Sequence, residues 1–373
     1  MVVSRYGILT LDALYIMDKI LAAVVALSKF GWIVDNVGGD GASENRSALK
    51  QLGTISAREL LKDVIVDLYE ENDEILDKLP LDLTIGFRHP IHPDVIVFIC
   101  ADMPHLIKKI VNAFDRSSKP RNKTSLCFRG KPISLGIIQK MWEVSSDGNG
   151  SSAINIFRKF TRDHFEKNAF NQIRVYLAAQ ITSLTTIDLL TTDELLDKCK
   201  FTKEDMLPTI DVVKKLDQMI DIMNAKGFHR NKKKEGEVIN SPKHRHLKEL
   251  LNLLVLFTEW KREAGSLKFH FITRESYEDM SWMVFAVVGV ASTYLKTDSS
   301  RRFDQGRSGS DCCEHHFANI RMRYQSASLI DCEVGTANAQ TSRSNTFTTK
   351  SNASTAGTRK ETRNELLAPI IRK

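Results

Sequence analysis

Three short stretches of this 373-residue chain carry acidic side chains that could hold a metal ion or meet a phosphate. The first is Gly38-Gly39-Asp40-Gly41, which follows an apolar run from Trp32 to Val37. An aspartate at a strand end among glycines is open to a metal or a substrate, because glycine lets backbone or ligand come close. The plainer alternative is an ordinary Asp-Gly turn. The second stretch is Asp102-Met103-Pro104-His105-Leu106-Ile107-Lys108-Lys109. Pro104 suits the first turn of a helix, and the free N–H groups there, with Lys108, could receive phosphate. An acidic N-cap and a solvated lysine pair would explain the same residues. The third is Asp311-Cys312-Cys313-Glu314-His315-His316. On a helix, Asp311 and Glu314 share one face, and Cys312 and His316 share another. Glu314, with or without Asp311, could hold a hard cation such as Mg²⁺. A zinc site would need four ligands, and no CxxC or HxxxH partner completes the Cys/His pair. A surface helix capped by Ser310 or Asp311 requires neither.

The elements that must position these residues follow from apolar spacing. Leu14, Met17, Leu21 and Val24 form one stripe of a helix over 11–30, stopped by Gly31. A short strand over 32–37 then leads to Asp40. A helix is expected over 56–79. The run Val95-Ile96-Val97-Phe98-Ile99 reads as a strand buried on both faces, ending near Asp102. From Leu106 onward the chain reads mostly helical, with helices over 168–183, 211–226, 246–262, 275–295 and a last short one over 310–323. Basic residues at 229–234 and 243–246 mark an exposed loop, and 296–309 a polar one. Beyond Gln325 the chain is rich in Ser, Thr and Asn, a composition expected to be disordered.

Composition narrows the function classes. Charged residues are 27% and hydrophobic residues 42%, which is ordinary for a globular protein. Lys plus Arg exceeds Asp plus Glu, 53 against 46, giving a net charge of +7. That excess hints at a polyanionic partner. The uncharged run 280–295 is too short to cross a bilayer and reads as a buried helix. The first residues show no apolar core followed by a cleavage site, so no signal peptide is expected. The six cysteines lack framework spacing, which points to free thiols in a reducing compartment. No GxxxxGK[ST] loop occurs, excluding a Walker-type site. A small GTP-hydrolysing protein is disfavoured for that reason and for want of a switch pattern.

Taken together and in order, these segments resemble the P-element family of DNA transposases, including the THAP-domain-related proteins of animals. Phe30-Gly31-Trp32-Ile33-Val34 through Asp40-Gly41-Ala42-Ser43-Glu44-Asn45-Arg46 is similar to the family's segment that carries the second catalytic aspartate. Ala101-Asp102-Met103-Pro104-His105-Leu106-Ile107-Lys108 is similar to the D-x-P-H-L-[IL]-K motif that opens its inserted GTP-binding domain. Thr161-Arg162-Asp163-His164, with Ile173 to Ser183, resembles a third motif, and Asp311 to Arg321 resembles the one that holds the final catalytic glutamate. The likeness extends from about Tyr6 to about Tyr324.

The resemblance implies an α/β chain with an RNase H-like catalytic core interrupted by a large, mainly helical GTP-binding insertion. The core's N-terminal part would span 1–100, the insertion 101–225, and a further helical part with the basic loop 226–300. The C-terminal catalytic helix would span 301–325, and a disordered tail 326–373. It implies Asp40 and Glu314 as catalytic ligands of two Mg²⁺ ions, Asp102 and Lys108 as guanine-nucleotide contacts, and Asp311 as a link from the insertion to the catalytic face. It further implies DNA ends and a guanine nucleotide as partners, homo-oligomeric assembly if functional, and a nuclear location; the short uncharged run implies no membrane. The family's first catalytic aspartate would fall before Tyr6 and has no counterpart; Asp12 lies in a predicted helix. The THAP-type domain and coiled coil have none either, and Ser310 stands where the family has Gln. The expected function is therefore that of a P-element-like transposase truncated at its N-terminus and inactive as it stands. The alternative is a catalytically dead, transposase-derived nucleotide- and DNA-binding protein.

Overall fold

The computed structural model describes residues 12–70, 73–119, 124–146, 157, 159–166, 168, 174–225, 238–298 and 300–305, all within the unit Asp12–Gly309. Helix α1 (Ala13–Lys29) opens on Asp12, which is its N-cap rather than an interior residue. The Asp12 carboxylate accepts the Leu14 amide at 3.3 Å, satisfying one of the helix's free donors. Gly31, at φ +78°, ends the helix in the left-handed conformation that glycine adopts without strain. Strand β1 (Asn36–Gly39) begins four residues later than the apolar run suggested. Trp32 and Ile33 are 70% and 56% exposed and stay outside the sheet. The strand itself is half glycine, so it carries no apolar alternation for a sequence reading to find.

After helix α2 (Ser43–Leu52) and the two-residue β2 (Ile55–Ser56), Ser56 and Glu59 close a capping box that starts α3 (Ala57–Leu68). The helix expected over 56–79 is broken here. Glu70 takes φ +57°, and Asp73–Lys78 forms a separate 3-10 turn. Strands β3 (Thr84–Arg88) and β4 (Ile96–Ala101) complete a sheet of order β1-β4-β3-β2. Strands β1 and β4 are parallel neighbours, pairing Asn36 with Phe98 through to Gly39 with Ala101; the other pairings are antiparallel.

The remainder is mostly helical. Helix α4 (Met103–Ser117) leaves the end of β4, and the small hairpin of β5 (Cys127–Phe128) and β6 (Lys131–Pro132) follows. Then come α5 (Leu135–Ser145), α6 (Arg162–Phe165), α7 (Val175–Ile181), α8 (Leu184–Thr191) and α9 (Asp193–Cys199). Helix α10 (Lys203–Met223) starts eight residues earlier than its apolar pattern suggested. A Thr202/Asp205 capping box nucleates it, and buried Met206, Val212 and Val213 hold it across Pro208. Long helices α11 (Arg245–Ala264) and α12 (Arg274–Thr297) follow, and Phe303 beyond them bridges to Ile239.

The sheet is covered on both sides. Met17, Ile20 and Leu21 of α1 pack with Phe87 and Val97 on one face. On the other, Phe98 meets α12 so closely that a Cβ added at Gly289 would collide with its ring. Glycine inside a helix costs roughly 0.5–1 kcal/mol relative to alanine; here it lets helix and strand approach. Helix α12 is buried on every side from Ser276 to Ser292, with a largely apolar run from Met280 onward. Its Trp282 Nε1 donates to the Thr84 carbonyl at 2.9 Å. One continuous apolar core runs from β4 through α4, α10, α11 and α12. Among the described residues no helix is long and apolar enough to cross a membrane. Cys100, Cys127 and Cys199 are free thiols.

Candidate functional site

Because Gly39 and Ala101 are register partners on parallel strands, the chain leaves β1 and β4 at the same end, and the Asp102 amide donates to the Gly39 carbonyl at 3.2 Å. The carboxyl ends of parallel strands are where open α/β sheets commonly place ligands. Asp40 stands there exposed to solvent. Its Oδ1 accepts the Ala42 amide at 3.0 Å and Asn45 Nδ2 at 2.9 Å. Its Oδ2 takes no hydrogen bond from the described residues. Partial burial pushes the carboxyl's pKa up, but those two bonds, with His105 and Lys109 nearby, outweigh it and hold the group below the usual carboxylate range. Asp40 is therefore an anion with one oxygen anchored, the state a metal ligand needs.

Asp102 is arranged differently. It is the N-cap of α4, its side chain is 3% exposed, and its Oδ2 accepts the His105 amide at 3.2 Å and lies 2.6 Å from His105 Nδ1. This is the acidic N-cap that the sequence allowed at the start of α4. Lys108 is half-buried and makes no hydrogen bond or ion pair among the described residues.

The neighbouring Lys109 is the lysine that reaches the strand end. Seven residues, about two helical turns, separate it from Asp102, so both lie on one face of α4. Lys109 Nζ donates to the Gly41 carbonyl at 3.3 Å and to Asp279 Oδ2 at 3.0 Å. Gly41 has φ +76°, the left-handed region that favours glycine.

Behind the strand end lies a buried ionic network that sequence reasoning missed. Arg46 of α2 pairs with both Glu278 (2.6 Å) and Asp279 of α12 and donates to the Glu275 carbonyl at 3.1 Å. Its guanidinium sits 5.1 Å from the Trp282 ring centre. Lys50 and Arg274 add pairs to Glu278 at 2.7 and 2.8 Å. Burial opposes charge on Glu278, but Lys50 and Arg274 prevail and lower its pKa. The available signal was Arg46 inside the Asp40 segment, and a Glu278-Asp279 pair heading an apolar run long enough to be buried.

Glu314 and Asp311, the other expected site residues, lie outside the described residues, as do the Cys312–His316 cluster and the basic run at 230–234. Among the described residues no group of three or more His, Cys, Asp or Glu is clustered to hold a metal.

No family model and no curated protein matches the chain. A solved structure, the Drosophila P element transposase strand transfer complex, is similar to it with a TM-score of 0.63 at 18% identity. The likeness covers 86% of this chain and 62% of that one, so the chain spans less than two thirds of its neighbour. The chain thus has the fold of a P element transposase, the family that its ordered motifs resemble.

Proposed function

We propose that this chain is a P-element-type, transposase-derived protein that binds DNA and a divalent cation at the carboxyl end of β1 and β4. The sheet is the RNase H-like part and the helices beyond α4 the GTP-binding insertion. The observation that carries the reading is Asp40: an ionised, half-anchored carboxylate at the end of a parallel strand, in a fold similar to that of a transposase. Asp40 and Glu314 are the residues to hold Mg²⁺. When bound, two such ions would activate the attacking oxygen and stabilise the leaving one in phosphodiester transfer. Asp40 contributes one fixed oxygen acceptor, and Asn45 and Ala42 keep it aimed. Lys108 is the residue to meet a GTP phosphate, with Asp102 ordering the helix start and Asp311 linking insertion to core.

The motifs match two of the family's three metal carboxylates. Mg²⁺ keeps several waters and is held weakly without sufficient protein charge, so these 373 residues alone should not cleave or join DNA. DNA binding resting on lysine and arginine should fall steeply with salt. The test is a binding titration at rising salt, with a nicking and strand-transfer assay on supercoiled DNA containing Mg²⁺ or Mn²⁺ and GTP. Salt-sensitive binding without cleavage is expected. No binding at low salt would sink the DNA reading. Metal-dependent cleavage that disappears in Glu314→Ala would overturn the inactivity.

A further inference from the structure

Asp40 owes its position to a loop of few residues, and the loop is held from behind by one side chain. Lys109 Nζ bridges the Gly41 carbonyl at 3.3 Å and Asp279 Oδ2 at 3.0 Å. Gly41 directly follows Asp40. Asp279 is itself paired with Arg46 of α2, the helix that starts on Ala42 one residue after Gly41. Three elements, α2, α4 and α12, therefore converge on the peptide next to Asp40.

Resting on the reading of Asp40 as a metal ligand, we infer that Lys109 is its positioning residue, clamping the Gly41 carbonyl to Asp279 of α12 and so fixing the direction of the Asp40 carboxylate. A cation beside a cation site acts in two opposed ways. By charge alone it repels an incoming metal ion, so its removal should tighten metal binding. By geometry it holds the ligand in place, so its removal should weaken binding. The sign of the effect separates a positioning residue from a mere electrostatic neighbour.

The experiment uses the full chain with Lys109→Met, Lys109→Arg, Asp279→Asn and Asp40→Asn. Amide hydrogen exchange across residues 40–45 reads the clamp without any metal. Exchange there should be about tenfold faster in Lys109→Met, a local opening, and close to the parent in Lys109→Arg, which keeps charge and reach. Asp279→Asn, which keeps the shape, should repeat the acceleration if Lys109→Met fails to fold. A Mn²⁺ titration should then show weaker binding in Lys109→Met and recovery in Lys109→Arg. Unchanged exchange across 40–45 in Lys109→Met, or tighter Mn²⁺ binding in that variant, would overturn the inference. Asp40→Asn binding Mn²⁺ as the parent does would overturn the metal reading instead, and the exchange result would still decide whether Lys109 orders the loop.

Discussion

Arg46 and Glu278, 232 residues apart in sequence, meet at 2.6 Å in the interior with side chains only 8% and 10% exposed. That contact, extended by Asp279, joins the helix after the Asp40 loop to the central helix α12. Removing one partner of a buried pair strands the other charge, which typically costs about 3–5 kcal/mol. Arg46→Met should therefore lower stability by about that much. Lys50, at a side chain 44% exposed, should cost less than about 1 kcal/mol when changed to Ala. Urea denaturation of the two variants checks this. Equal effects would mean that the network does not tie α2 to α12.

A second expectation concerns acid. Asp205 has its pKa lowered to about 2 by Lys131, which lies 2.7 Å away, and by the amide and hydroxyl of Thr202. Because the folded value lies below the ordinary one, the pair's stabilisation is present above about pH 4. It is lost as pH falls from there through about 2. The melting temperature of Asp205→Asn should be lower than the parent's at pH 6, and the gap should close as the solution is acidified through that range. A constant gap would assign the effect to the helix cap's shape rather than to its charge.

A third concerns the nucleotide. Lys108 makes no bond among the described residues, so Lys108→Ala should leave thermal stability nearly unchanged. If Lys108 meets a phosphate, the same variant should weaken GTP binding, read by calorimetry with ATP as the comparison. Unaltered GTP affinity would remove Lys108 from the site.

Much of the scaffold was legible because it rests on local rules. The stripe of Leu14, Met17, Leu21 and Val24 marked α1, and the run 95–99 marked the doubly buried strand β4. That β4 runs parallel to the segment before Asp40 is seen only in the structure, because apolar runs carry no strand direction. What escaped was long-range or sterically hidden. Strand β1 is half glycine, so its pattern is blank, whereas the apolar Trp32 and Ile33 drew the boundary too early. Of two adjacent lysines, only helical phase decides that Lys109 and not Lys108 faces Asp40, and phase depends on where α4 starts. The partners Glu278 and Asp279 could be found only by knowing that α12 packs behind the strand end. The residue types alone leave Asp102 open as a nucleotide contact or a cap; its side chain is buried as a cap against His105.

Asp40 as a ligand for a divalent cation is what the proposed function requires above all. Mn²⁺ titrated into the full chain, its Asp40→Asn variant and its Glu314→Gln variant, with bound ion read by electron paramagnetic resonance, tests this most directly. The expected result is a site whose affinity falls at least about tenfold in each variant, since each removes an anionic ligand from a hard-cation site. Parent-like Mn²⁺ binding in both variants would contradict it.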